Sequence, residues 1–181
     1  MTTTIIKREG ALRAALIDTA LVGAACLVPT LSHLTALPLY RLNPMLLMLL
    51  AGMLAVRDRR NAFLLAVLLP TVSMLAVGMP SAAKALCMVA ELATLVAAAT
   101  GLERVMSGHA SRSLSAARRF AALAGAMLAA MLCGKAVYYT MKAFLLPSEP
   151  LIGTSILIQV SVMVAAAGLY SLILTKRKDI Q

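Results

Sequence analysis

Apolar residues run through this chain in six long blocks separated by short polar breaks, at residues 11–28, 44–56, 62–77, 80–102, 120–146 and 151–175. Each reads as a helix. Pro29 is expected to end the first, and Pro80 to sit in the first turn of the fourth, where its missing N–H does no harm. A straight bilayer crossing takes about 20 residues. The second and third blocks are shorter, so they must tilt, lie where the bilayer thins, or be sheltered by neighbouring helices.

Composition turns six helices into six membrane spans. The chain is 61% hydrophobic with a mean hydropathy of +0.91, and only 13% of it is charged. Soluble domains carry about 25% charged residues, so the expectation is an all-α polytopic membrane protein. Residues 1–181 form a single transmembrane helical domain on this reading. Tryptophan is absent, which removes the usual interfacial belt as a guide to the membrane edges. The basic, then apolar start resembles a signal peptide. No small-x-small site precedes polar mature sequence, so a retained first helix is expected.

The charges sort by loop. Of seventeen lysines and arginines, all but Arg41, Lys84, Lys135 and Lys142 fall on the N-terminal arm, the second and fourth inter-helix loops, or the C-terminal tail. The positive-inside rule then places both termini in the cytoplasm. The formal charge of +10 therefore reflects topogenic clusters. With no aromatic interleaving, a nucleic-acid partner is not expected.

Small residues recur at helical spacing. The fifth block has Ala122, Ala126, Ala130 and Gly134 in one row, with Ala121, Gly125, Ala129 and Cys133 beside it. The fourth has Ala93, Ala97 and Gly101, and the first has Ala11/Ala15 and Ala20/Ala24. Such rows let helices approach closely; internal packing is expected for blocks four and five. Cys26, Cys87 and Cys133 are scattered through apolar runs with no CxxC or Cys/His spacing, which fits small packed side chains and no metal site.

Polar groups gather on the outer side. The candidate substrate-binding residues are Tyr40, Arg41 and Asn43 in the first outer loop, Met79 in the GMPS turn, and Lys84 and Glu91 in the fourth block. Lys135, Tyr138 and Tyr139 in the fifth block, with Ser155 and Gln159 in the sixth, complete the set. Lys142 is expected to snorkel to the interface, and the two tyrosines also suit interfacial anchoring. A charge at the centre of a membrane helix costs about 2.5–3.5 kcal/mol on insertion scales, so Lys84, Glu91 and Lys135 should face an interior cavity and have partners. Lys84 and Glu91 share a helix face but stand about 10.5 Å apart along the axis, too far for direct contact. Lys135 is the natural partner for Glu91, in a pair that is either structural or part of an outward-facing polar pocket.

Catalytic constellations are missing from the sequence. His33 and His109 are expected on opposite sides of the membrane, and there is no HExxH motif, Walker loop or nucleophile elbow. No cofactor and no enzymatic activity are expected. Two other readings stand beside a binding protein: a small intramembrane enzyme using Glu91 as acid or base, and a membrane scaffold built on the small-residue rows.

Residues 42–102, LNPMLLMLLAGMLAVRDRRNAFLLAVLLPTVSMLAVGMPSAAKALCMVAELATLVAAATGL, carry a family likeness. The NP-led short helix with LLAG, the LLPTVSML helix, the GMP turn and the MVAELA helix follow in order. This stretch resembles the middle of the substrate-binding membrane subunits (S components) of energy-coupling factor vitamin transporters. The resemblance implies six helices and capture of a vitamin or related micronutrient at the outer face of a prokaryotic cell membrane. It also implies docking on a transmembrane coupling subunit served by two cytoplasmic ATPases. In that family an AxxxA pattern on the first helix meets the coupling subunit; here the matching positions are Ala11/Ala15 and Ala20/Ala24. One departure is VRDRRN between the second and third helices, where family members often have glycine-rich turns. Because the outer basic residues outnumber Glu91 and Glu149, a ligand with an anionic group is favoured.

Overall fold

The computed structural model describes residues 2–35, 42–109, 116–150 and 156–179. Six helices follow one another: α1 (Thr2–Thr35), α2 (Pro44–Val56), α3 (Arg59–Val77), α4 (Ala82–His109), α5 (Ala116–Leu145) and α6 (Ile156–Asp179). No strand occurs among the described residues. All but α2 are long and apolar enough to cross a membrane. The protein is an all-α polytopic membrane protein.

Several boundaries differ from the sequence expectation, each for a local reason. Pro29 does not stop α1, which runs on to Thr35. A proline inside a membrane helix loses its own N–H bond and crowds the carbonyl four residues back, but neighbouring groups can satisfy what is freed and later turns close as usual. α3 carries Pro70 in the same way, with the adjacent Thr71 hydroxyl bonded to the Val67 carbonyl at 2.7 Å. Between α2 and α3, Arg57 turns left-handed (φ 54) and ends α2. Asp58 then caps α3 by accepting from the Arg60 amide at 3.0 Å. Arg59 and Arg60 thus form the first turn of α3, not a loop. That lengthens α3 to 19 residues, about 28 Å, so it needs no special accommodation.

At its other end α3 stops on Gly78, left-handed at φ 73, whose N–H reaches the Met74 carbonyl at 3.0 Å. A side chain at that φ would be strained, which is why glycine ends the helix there. The Ser73 hydroxyl, fully buried, donates to the Met79 carbonyl at 2.9 Å and fixes the turn. α4 then starts at Ala82, with the Ala85 amide on the Ser81 carbonyl at 2.8 Å. Pro80 therefore precedes the helix instead of opening it. α4 continues to His109, a residue expected in a loop.

The short α2 is the most enclosed element. It packs against α1, α3 and α6, and its Leu46, Leu49 and Leu50 are all buried. At about 20 Å it cannot cross the hydrocarbon core alone. It does not have to, because its start already lies inside the bundle, as the site below shows. Shelter by neighbours, one of the three options open from sequence, is the one realised.

α4 and α5 share the most extensive interface. Of the two small-residue rows on α5, only one contributes: Ala130 and Gly134 are buried against α4, whereas Ala121, Gly125, Ala129 and Cys133 are all exposed. Adjacent rows point about 100° apart, and the second turns away from α4. Cys87 is buried and Cys26 half-buried; all three thiols are free.

Two hydrogen bonds gather the end that bears the arginine clusters. Asn61 donates to buried Asp18 at 3.0 Å, and the Tyr170 hydroxyl donates to Glu103 at 3.4 Å. The opposite end, outer by the charge rule, holds Lys84, Lys135 and Lys142.

Candidate functional site

Three helices converge on one carboxylate. Lys135 of α5 places its Nζ 2.7 Å from Oε1 of Glu91 on α4, and both side chains are largely buried. The side-chain amide of Asn43 donates to the same oxygen at 3.4 Å. Asn43 precedes α2 in a left-handed conformation (φ 49), which asparagine tolerates better than most residues. Glu91 lies about 14 Å along α4 from its first residue, near mid-depth of a core about 30 Å thick. Asn43 and the start of α2 are therefore at mid-depth too. Lys135 also sits 5.1 Å from the centre of the Tyr138 ring, within cation–π range.

Nearer the outer end is a second tier. Lys84 Nζ meets Glu149 Oε1 at 2.8 Å, tying the segment after α5 back to α4. Lys142 donates to the Pro150 carbonyl at 2.7 Å and stands 3.8 Å from Glu149 Oε2. It does not snorkel: its side chain is only 8% exposed, because its stem turns inward toward residues 149 and 150. Glu149 lies outside the spanning segments, and the hydrogen bond from Lys84 holds its carboxyl below the ordinary glutamate range.

The two tiers answer why one helix face carries both Lys84 and Glu91. They do not meet; each bonds a residue from elsewhere, Glu149 for one and Lys135 for the other. Cys87, three residues after Lys84 and four before Glu91, shares their face and is buried between them. On the far side, the Tyr139 hydroxyl donates to Gln159 at 3.0 Å and joins α5 to α6, while the Tyr138 and Tyr139 rings meet edge to face at 5.4 Å. Both tyrosines are half-buried and engaged inside the bundle, which is not the posture of interfacial anchors.

Of the residues expected from sequence, the structure brings together Asn43, Glu91, Lys135, Tyr138, Tyr139 and Gln159, with Lys84 in the tier above. Met79 is not among them: its side chain is exposed and its carbonyl is used by Ser73. Tyr40, Arg41 and Ser155 lie outside the described residues. Sequence reading missed the parts played by Lys142, Glu149 and the Pro150 carbonyl; the LLPSEP motif held the signal, in an acid following a lysine by two helical turns. It also missed Asp18, a carboxylate inside the first span.

On α1, Ala11, Ala15 and Ala20 are exposed and Ala24 is half-buried. α1 packs chiefly on α2 and α3, so much of its surface is open to lipid or to another protein. At the arginine end, a recess of about 10 Å³ is lined by Ala99, Glu103, Leu123, Ala126, Met127 and Tyr170. That is room for a single water and no more.

The network gathers two ammonium–carboxylate pairs, a phenol face and two carboxamides at this end of the bundle. No family model, no curated protein and no solved structure matches this chain.

Proposed function

We propose that this protein is the substrate-capture membrane subunit of an energy-coupling-factor importer, taking a vitamin or related micronutrient from outside a prokaryotic cell. The observation that carries this reading is the Glu91–Lys135–Asn43 cluster. A carboxylate and an ammonium are held at mid-depth by residues from α4, α5 and the start of α2. Burying such a pair costs several kcal/mol per ion before the mutual attraction returns it, and apolar packing would often do as well. Its retention beside Tyr138, Tyr139 and Gln159 makes sense where a polar solute is to be received. The resemblance of residues 42–102 to the S components supports the same conclusion.

Uptake driven by ATP then requires partners, because the chain has no nucleotide-binding motif. The exposed alanines of α1 are the proposed contact with a coupling subunit that carries two cytoplasmic ATPases.

Affinity purification from the native host's membranes tests this. The expected result is co-purification of a membrane coupling protein and two ATPases, with a small molecule bound to this chain. Recovery of the chain with neither would overturn the proposal.

A further inference from the structure

We infer that Lys142 is the seat for a single anionic group, carboxylate or phosphate, on the captured molecule. The inference rests on the capture reading and narrows its ligand class.

The three outer lysines are not equally neutralised. Lys135 has Glu91 at 2.7 Å and Lys84 has Glu149 at 2.8 Å. Among the described residues, Lys142 has only the far oxygen of that same Glu149, at 3.8 Å, and the neutral Pro150 carbonyl at 2.7 Å. It is the most buried of the described lysines at this end, with 8% of its side chain exposed, so bulk water does not solvate the charge.

No other part of the chain can supply the missing negative charge. Of seven acidic residues, only Glu91 and Glu149 belong to this end. Segments 36–41 and 151–155, which lie outside the described residues, contain no Asp or Glu. A buried ammonium left short of a counter-charge is costly. An anion from outside completes it.

The same count limits the ligand further. The deeper tier is already neutral, because Glu91 and Lys135 match one for one. An anion placed there would have to displace Glu91 and leave that carboxylate buried without its partner. The ligand's charge therefore belongs at the Lys142 level, and its uncharged part reaches toward Tyr138 and Asn43.

The test uses the full chain in nanodiscs, made either of phosphatidylcholine alone or with added phosphatidylglycerol. Discs are incubated with a water-soluble bacterial metabolite extract and washed, and the retained molecules are identified by mass spectrometry. The expected result is one retained small acid, in both kinds of disc. Its retention falls at least about tenfold in Lys142→Gln, the scale of a lost charge-assisted hydrogen bond. It persists in Lys142→Arg, which keeps the positive charge. Matching melting temperatures exclude a folding defect.

A retained solute that is neutral or cationic would overturn the inference while leaving capture intact. So would undiminished retention of an acid by Lys142→Gln, or a phosphatidylglycerol headgroup held in place of a solute. Retention of nothing by the wild-type protein would overturn the capture reading itself.

Discussion

Gly134 faces the backbone of Glu91 so closely that a Cβ on it would stand 2.8 Å from the Glu91 carbonyl oxygen. That approach sets the distance between α4 and α5 at the level where Lys135, the next residue, reaches the Glu91 side chain. Because the obstructing atom is backbone, the helices themselves would have to part. Gly134→Ala is expected to destabilise the protein by about 1–3 kcal/mol, the usual cost of overpacking. Thermal unfolding in mild detergent measures it, and Gly125→Ala, on the exposed row of the same helix, should stay close to wild type.

The Glu91–Lys135 pair makes a second prediction. Glu91→Gln or Lys135→Gln alone leaves the opposite charge buried, and each is expected to cost about 3–5 kcal/mol. The double variant removes both charges and should recover much of that loss. A double-mutant cycle read by denaturant unfolding in bicelles checks this; additive losses would mean that the two side chains do not interact.

Asn43 combines a backbone role with a side-chain role, and two substitutions separate them. Asn43→Gly keeps the left-handed conformation and loses only the amide that reaches Glu91. Asn43→Ala loses both, and the left-handed backbone adds about 1–2 kcal/mol. Alanine is therefore expected to melt lower than glycine. The reverse order would show that α2 does not need its left-handed entry.

Glu149 gives a pH dependence whose sign follows from its environment. Its carboxyl is held below the ordinary value of 4.5, first by the hydrogen bond from Lys84. A group with a lowered folded pKa contributes its stability above the unfolded value and loses it as pH falls through the folded value. The tie between α4 and residues 146–150 should hold unchanged at neutral pH and release only in acid below 4.5. Hydrogen exchange at the Leu146 and Glu149 amides, both hydrogen-bonded in the fold, should show loss of protection in that window once corrected for intrinsic rate. Glu149→Gln should be poorly protected at every pH.

The six helices were legible because lipid demands long apolar runs, and the pairing of Lys135 with Glu91 followed from the cost of a lone charge at that depth. Helix ends were less legible. Pro29 reads as a stop in water, yet in a membrane helix one missing N–H does not end the helix. Arg59 and Arg60 read as loop residues because charge suggests solvent, while the Asp58 cap draws them into α3. The inward turn of Lys142 was hidden for another reason. A lysine near a span end has two outlets, the interface or a local acceptor, and only the folded position of residues 149 and 150 decides between them. The depth at which α2 begins was likewise invisible, because length shows that a helix is short but not where it starts.

Native mass spectrometry of the gently extracted protein tests the central claim most directly, with the folded Glu91→Gln/Lys135→Gln double variant beside it. The expected spectrum shows wild type carrying an added mass of metabolite size and the double variant without it. Bare wild-type protein, or the same added mass on both proteins, would contradict a capture role for the outer network.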